Sequence, residues 1–422
     1  MFNAVIRPLL EKLPFERARR IVLLLLRLAG LVPGGRWLLE RCFATEDPSL
    51  AREVFGVRFR NPIGVAAGFD RDGEVFAELG ALGFGFVEIG TLTPRPQSGN
   101  PLPRVFRLPQ DEAFIHRTGF PNRGLETAIR HLRRGHRGVV VGCNIACNAA
   151  TPVEAAPKDF LKLFRNLYQY VDYFSVNVSG DDIRDEAAVR TNEYLTAILE
   201  PLFDFRRGQN RYRPILLKIS PDLTDEEIDR VADILIATPL DGIVATSGTR
   251  RREGLATAAD EVERIGAGRL CGRPLTERSI AVVRRLRERS GDTYPIIGSG
   301  GMMTAADVRA MLDAGADLVQ LHTGLLYRGP QLLKEVCRSL AAPETTETAE
   351  TVDAPETLAA PEASAASEAP EAPGQTDQAD QAEPRERTAQ PEPAAPTEHP
   401  VSLEHPAPSA APLPASDPAS ES

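Results

Sequence analysis

The sequence predicts an α/β fold of (β/α)₈ barrel type, and three observations lead there. Eight short apolar runs lie between residues 61 and 324, separated by stretches patterned as helices. The runs are almost continuously hydrophobic, as expected of parallel strands covered on both faces. Polar and glycine residues gather where the runs end, and such barrels keep their chemistry at the carboxyl ends of the strands.

In order, the runs are "NPIGVAAG" (61–68), "FGFVEIGT" (84–91), "GVVVGCNI" (138–145), "YFSVNVS" (173–179), "PILLKIS" (214–220), "GIVATS" (242–247), "YPIIGSGG" (294–301) and "LVQLHTG" (318–324). Helical patterns fall between them, for example at 158–170, 224–236, 276–289 and 304–313. The second of these opens on Thr224, with Glu227 three residues later, the spacing of a capping box. Eight such units in about 280 residues make a TIM barrel over 46–340. Glycines of "GSGG" and "HTG" fall after the seventh and eighth runs. Backbone N–H groups can approach a phosphate closely there, which points to a phosphate-bearing cofactor.

Two flanking segments differ from this core. Residues 1–45 contain "ERARRIVLLLLRLAGLV", too short an apolar run for a spanning helix, which needs about 20 residues. Its leucines accompany Arg17, Arg19, Arg20 and Arg27, which suits a helix lying on a membrane surface. No small-residue cleavage site follows, so a signal peptide is not expected. Residues 341–422 are rich in Ala, Pro, Glu, Thr and Ser and lack any aromatic residue, the composition of a disordered tail. That tail holds 17 acidic and 2 basic residues. Removing them from totals of 59 and 49 leaves 42 acidic and 47 basic residues before it. The folded part is thus mildly basic without a polybasic run, and no nucleic-acid partner is expected. Five scattered cysteines suit a reducing compartment. Cys143 and Cys147 lack the further ligands of a zinc pattern, and no metal site is expected.

The stretches "NPIGVAAGFDRDGE" and "GFGFVEIGTLTPRPQSGNPLPRVFRLPQDEAFIHRTGF" resemble the quinone-dependent (class 2, membrane-associated) dihydroorotate dehydrogenases. "TPVE", "LLKISPDL", "DGIVAT", "GRPL", "PIIGSGG" and "LVQLHTGLLYRGP" follow in that family's order, so the resemblance runs to about residue 340. It implies an FMN-binding barrel, with the N-terminal helices forming a tunnel for membrane quinone at the cytoplasmic side of the cell membrane. The implied reaction oxidises dihydroorotate to orotate in pyrimidine (UMP) synthesis. One ring carbon gives a proton to a serine base and its neighbour a hydride to the flavin. By the same resemblance, cofactor contacts fall on Ala67, Gly68, Thr91, Asn144, Asn177, Lys218, Thr246, Gly272, Gly301, His322 and Thr323. Lys218 matches the lysine at the flavin's pyrimidine edge.

Departures from the family cluster on the substrate side. His116 stands for a substrate-binding asparagine in "HRTGF", which also brings Arg117, Thr118, Gly119 and Phe120. Arg71 replaces a lysine, and Ser247 with Gly248 replaces an Asn–Thr pair. In "NVSGDDIRDEA", Gly180 takes the slot of the base serine and Asp182 that of a substrate asparagine, beside the retained Asn177. Glycine cannot accept a proton, so Ser179 and Asp181 become candidate bases. Arg71, Arg117 and Arg184 could offset the added acidic charge near an anionic substrate. Three readings follow: a dihydroorotate dehydrogenase with a reorganised loop, a relative that keeps FMN but oxidises another small molecule, or a non-catalytic flavin-binding or scaffold protein.

Overall fold

The computed structural model describes residues 8, 12–135, 138–178 and 192–342. Thirteen strands are numbered in chain order. β1 (Arg52–Val54) and β2 (Val57–Phe59) form an antiparallel hairpin. A closed parallel barrel follows, built from β3 (Ile63–Val65), β4 (Phe86–Leu92), β7 (Val140–Ile145), β8 (Tyr173–Asn177), β9 (Ile215–Ile219), β10 (Gly242–Ala245), β12 (Ile296–Ser299) and β13 (Leu318–Leu321). Each of the eight apolar runs contains one of these strands, and β13 closes on β3 with Val319 opposite Ile63. The helical patterns are also present, including Asp225–Ala237, where Thr224 and Glu227 form the expected capping box. The remaining strands β5 (Val105–Leu108), β6 (Ala113–His116) and β11 (Arg269–Gly272) make an antiparallel sheet outside the barrel.

Residues two apart on a strand point the same way, and this alternation layers the barrel interior. Phe86, Tyr173, Leu216, Val244, Ile297 and Leu318 form an apolar floor with Phe59 of the hairpin. The hairpin turns through Phe55 and Gly56, both at positive φ, and Phe55 packs on Phe59 and Tyr173. One step nearer the carboxyl ends the inward residues become polar: Glu88, Asn144, Ser175, Lys218 and Gln320, all buried. Gly142 makes room for this arrangement, since a Cβ there would lie 2.0 Å from the Tyr173 ring. The outer core packs helices on the barrel, with Phe164 touching the rings of Phe174 (4.5 Å), Tyr168 (5.3 Å) and Phe205 (5.9 Å).

Two helices precede the barrel, α1 (Phe15–Leu31) and α2 (Gly35–Phe43), with a bend of 115° between them. Among the described residues no single helix is long and apolar enough to cross a membrane. Ala18 and Leu23 of α1 are buried, while Leu24, Leu25, Leu28 and Leu31, with Trp37 and Leu38 of α2, are exposed.

Candidate active site

The carboxyl ends of the barrel strands open into a cavity of about 1240 Å³, counting its mouth. Its walls come from the barrel, from the outer sheet through Val105, Phe114, His116 and Cys271, and from α1 through Phe15 and Arg19. The N-terminal end of α1 is fastened over this opening. Phe15 meets Phe114 edge to face at 5.2 Å, and Arg19 donates to the Phe69 carbonyl at 2.8 Å. Glu16 pairs with Arg71 at 3.3 Å and Arg104 at 3.1 Å. Burial raises the Glu16 carboxyl pKa, but Arg71, Arg104 and Arg19 outweigh it and hold the group below the usual range. Arg71 is pushed down to about 10, mostly by burial and then by Arg19.

Of the residues expected at the cofactor, Ala67, Gly68, Thr91, Asn177, Lys218, Thr246, Gly301, His322 and Thr323 line the cavity. Asn144 stands behind them. Its Oδ1 accepts from Thr91 Oγ1 at 2.7 Å and from Asn177 Nδ2 at 3.1 Å, which orients both toward the opening. Gly272 is not in the wall; it closes β11, where a Cβ would lie 2.4 Å from the Glu112 carbonyl. Arg71, His116, Thr118, Phe120, Ser247 and Gly248 of the substrate set line the same space, and Gly119 does not. Arg117 turns away, donating to the carbonyls of Ile265 and Ala267 and lying over the Phe106 ring. Ser179, Gly180, Asp181, Asp182 and Arg184 lie outside the described residues.

Several lining residues carried no signal for the site in the sequence, among them Phe15, Arg19, Phe114, Ser299 and Met302. Gln320 had a readable one: a polar side chain in the middle of an apolar run, in register with the inward face.

Two features of the wall favour a flavin. Lys218 is 6% exposed and borders the cavity, and the nearest carboxylate oxygen that pairs with it, Glu88 Oε1, is 3.9 Å away. Burial lowers its pKa and Glu88 opposes that effect. Gln320 donates its Nε2 to Glu88, while its buried Oε1 has no partner among the described residues. A cation beside an unfilled acceptor suits the pyrimidine edge of an isoalloxazine ring, which offers carbonyl oxygens and a ring N–H. Gly300 (φ 108°) and Gly301 (φ 81°) hold backbone shapes that only glycine adopts without strain, beside Thr246 and Thr323. The residues present therefore fit FMN.

His322 shares this wall, and its pKa is lowered to about 3 by burial, then by His116, Lys218, Arg71 and Arg19. An unfolded histidine binds a proton below about pH 6.5. The folded chain does not protonate this one until about 3, so its contribution to stability is present above 6.5 and lost as pH falls through that window. His322→Gln is expected to flatten the fall in denaturation midpoint between about pH 7 and pH 4. Matched urea titrations of the two proteins check this, and parallel falls would contradict it.

Comparison with known proteins gives a consistent result. The family model described as "Dihydroorotate dehydrogenase" matches residues 49–343. A protein named dihydroorotate dehydrogenase (quinone) from Christiangramia forsetii is 43% identical over 336 residues, covering 80% of this chain and 97% of that one. A protein of the same name from Thermobifida fusca is 42% identical over 350 residues, covering 81% and 92%. Among solved structures, a DHODH from Eimeria tenella in complex with ferulenol superposes with a TM-score of 0.69 at 30% identity, covering 77% of this chain and 90% of that one. Its barrel, its cavity and these relatives together show that the chain belongs to the quinone-dependent (class 2) branch of the dihydroorotate dehydrogenase family.

Proposed function

We propose that the protein is an FMN-dependent dihydroorotate dehydrogenase that oxidises dihydroorotate to orotate in pyrimidine synthesis and passes the electrons to a quinone. The observation that carries this reading is the buried, cavity-facing Lys218 beside the unfilled acceptor of Gln320, within a chain of this family. FMN, when bound, supplies the two-electron acceptor. Lys218 places a positive charge where negative charge develops on reduction. Gly300, Gly301, Thr246 and Thr323 would hold the phosphate, and Thr91 with Asn177, tied together through Asn144, would hold the ring.

His116, Ser247, Thr118 and Arg71 bound the space left for substrate. Gly180 has no side chain to accept the substrate's ring proton, so the base is proposed to be Ser179 or Asp181. Phe15, Val105, Phe114 and Leu326 supply an apolar stretch of wall next to α1, where a quinone would enter. The test is dihydroorotate-dependent reduction of a short-chain quinone by the FMN-loaded protein, compared with Ser179→Ala and Asp181→Asn. Loss in one variant identifies the base. No turnover in a protein that carries FMN would turn the reading toward another small substrate.

The N-terminal helices support a peripheral seat on the membrane at the cytoplasmic face. Leu25 is 58% and Trp37 66% exposed, and they lie among further exposed leucines. Burying such side chains in a lipid surface is worth about 1.5–3 kcal/mol each. Leu25→Glu with Trp37→Glu is therefore expected to lower partitioning onto phospholipid vesicles at least about tenfold. Unchanged co-sedimentation would contradict the seat.

A further inference from the structure

The polar layer of the barrel interior centres on Glu88, whose role the proposed reaction leaves open. It is fully buried in the middle of β4, and three other strands each aim a donor at its carboxylate. Asn144 Nδ2 of β7 donates to Oε1 at 2.9 Å. Gln320 Nε2 of β13 donates to Oε2 at 2.8 Å, and the Tyr173 hydroxyl of β8 donates to Oε2 at 3.1 Å. Both oxygens are thus occupied as acceptors, the arrangement of an ionised carboxylate. A fourth strand, β9, brings the Lys218 amine to 3.9 Å from Oε1. An unpaired ion in such a place is costly, and a lysine without a counter-charge gives up its proton.

We propose that Glu88 is the buried counter-ion that keeps Lys218 charged, and that it thereby acts as a positioning residue controlling the charge presented to the flavin. This rests on the FMN reading above. The groups around the pair do not compete for the proton at neutral pH. The Tyr173 hydroxyl and the Cys143 thiol are both pushed well up, by burial and then by Glu88. His322 is held far below neutral. Glu227, Arg230 and Arg269 border Lys218 from a separate groove on its other side.

The proposal makes a redox prediction. In the wild type Lys218 is already charged, so flavin reduction by two electrons draws no proton onto it. In Glu88→Gln, Lys218 is neutral beside oxidised flavin. It takes one proton from solvent when the reduced flavin becomes anionic. That extra proton changes the equilibrium tenfold per pH unit, or about 30 mV for a two-electron couple. The midpoint potential of FMN-loaded Glu88→Gln should therefore fall more steeply with pH than that of the wild type, by this amount. Adding Lys218→Met to the variant should abolish the excess slope, whereas a merely structural effect would persist. Equal slopes in wild type and Glu88→Gln would overturn the proposal.

A second measurement depends neither on flavin nor on Glu88→Gln folding. Removing the cation in Lys218→Met should protonate Glu88 and reveal a protonated-carboxyl infrared band. The band should appear in the difference spectrum of Lys218→Met against wild type and not in that of the double variant, so that the buried Asp70 carboxyl, itself pushed up to about 7 by burial, cancels. Lys218→Met without the band would overturn the pairing. A protein that takes up no FMN, yet shows the band, would instead sink the flavin reading alone.

Discussion

Lys218→Met is expected to leave a folded barrel whose turnover falls about 10²–10³-fold, the usual loss when one preorganised electrostatic group is removed. The size follows from the site. Lys218 is buried at the carboxyl end of β9, among polar residues contributed by four other strands. With only 6% of its surface exposed, its charge is little screened by water, so a methionine of similar length leaves nothing comparable to stabilise negative charge on a reduced cofactor. Stopped-flow reduction of the loaded enzyme should show the loss in the chemical step. A variant that reacts at the wild-type rate would show that the amine does not face the reacting group.

Phe164→Ala is expected to destabilise the chain by about 3–5 kcal/mol, the range for removing a fully enclosed aromatic ring. Phe164 is 0% exposed and sits on the helix Ala156–Leu167, the barrel's outer layer at β8. Its ring contacts Phe174 of that strand, Tyr168, and Phe205 of the helix Asn192–Arg207. The cavity left by alanine would be bounded by three rings that cannot collapse together without moving a strand. Urea denaturation at unchanged slope should report the shift. A loss under about 1 kcal/mol would mean that the helix repacks, contrary to the close packing seen here.

The eight barrel strands were legible because each is covered on both faces and so writes a near-continuous apolar run. The capping box at Thr224 was legible because it is a local, four-residue device. The outer sheet was not. β5 and β6 are four-residue strands, and β6 pairs with β11, placing His116 opposite Arg269 across more than 150 residues of sequence. No local pattern announces a partner that far away. Arg19 was readable as one of several arginines on an amphipathic helix, but not as a donor to Phe69, which depends on how α1 docks. Arg117 illustrates the opposite error. Its neighbours Thr118 and Phe120 line the cavity, yet its own side chain leaves to cap the carbonyls of Ile265 and Ala267.

Glu88 was overlooked for a different reason. A single acid within an apolar run reads as an interruption until the strand's alternation is fitted to a closed barrel. Then Phe86 and Glu88 fall on the same inward face, the first in the apolar floor and the second beneath the cavity.

The central claim is that the remodelled substrate side still admits dihydroorotate to a flavin that would bind in the cavity Lys218 borders. Anaerobic addition of dihydroorotate to the purified, FMN-loaded protein tests it most directly. The account predicts that the flavin's visible absorbance bleaches and returns when a quinone is added. A flavin that is bound, reducible by a chemical reductant and unchanged by saturating dihydroorotate would contradict it.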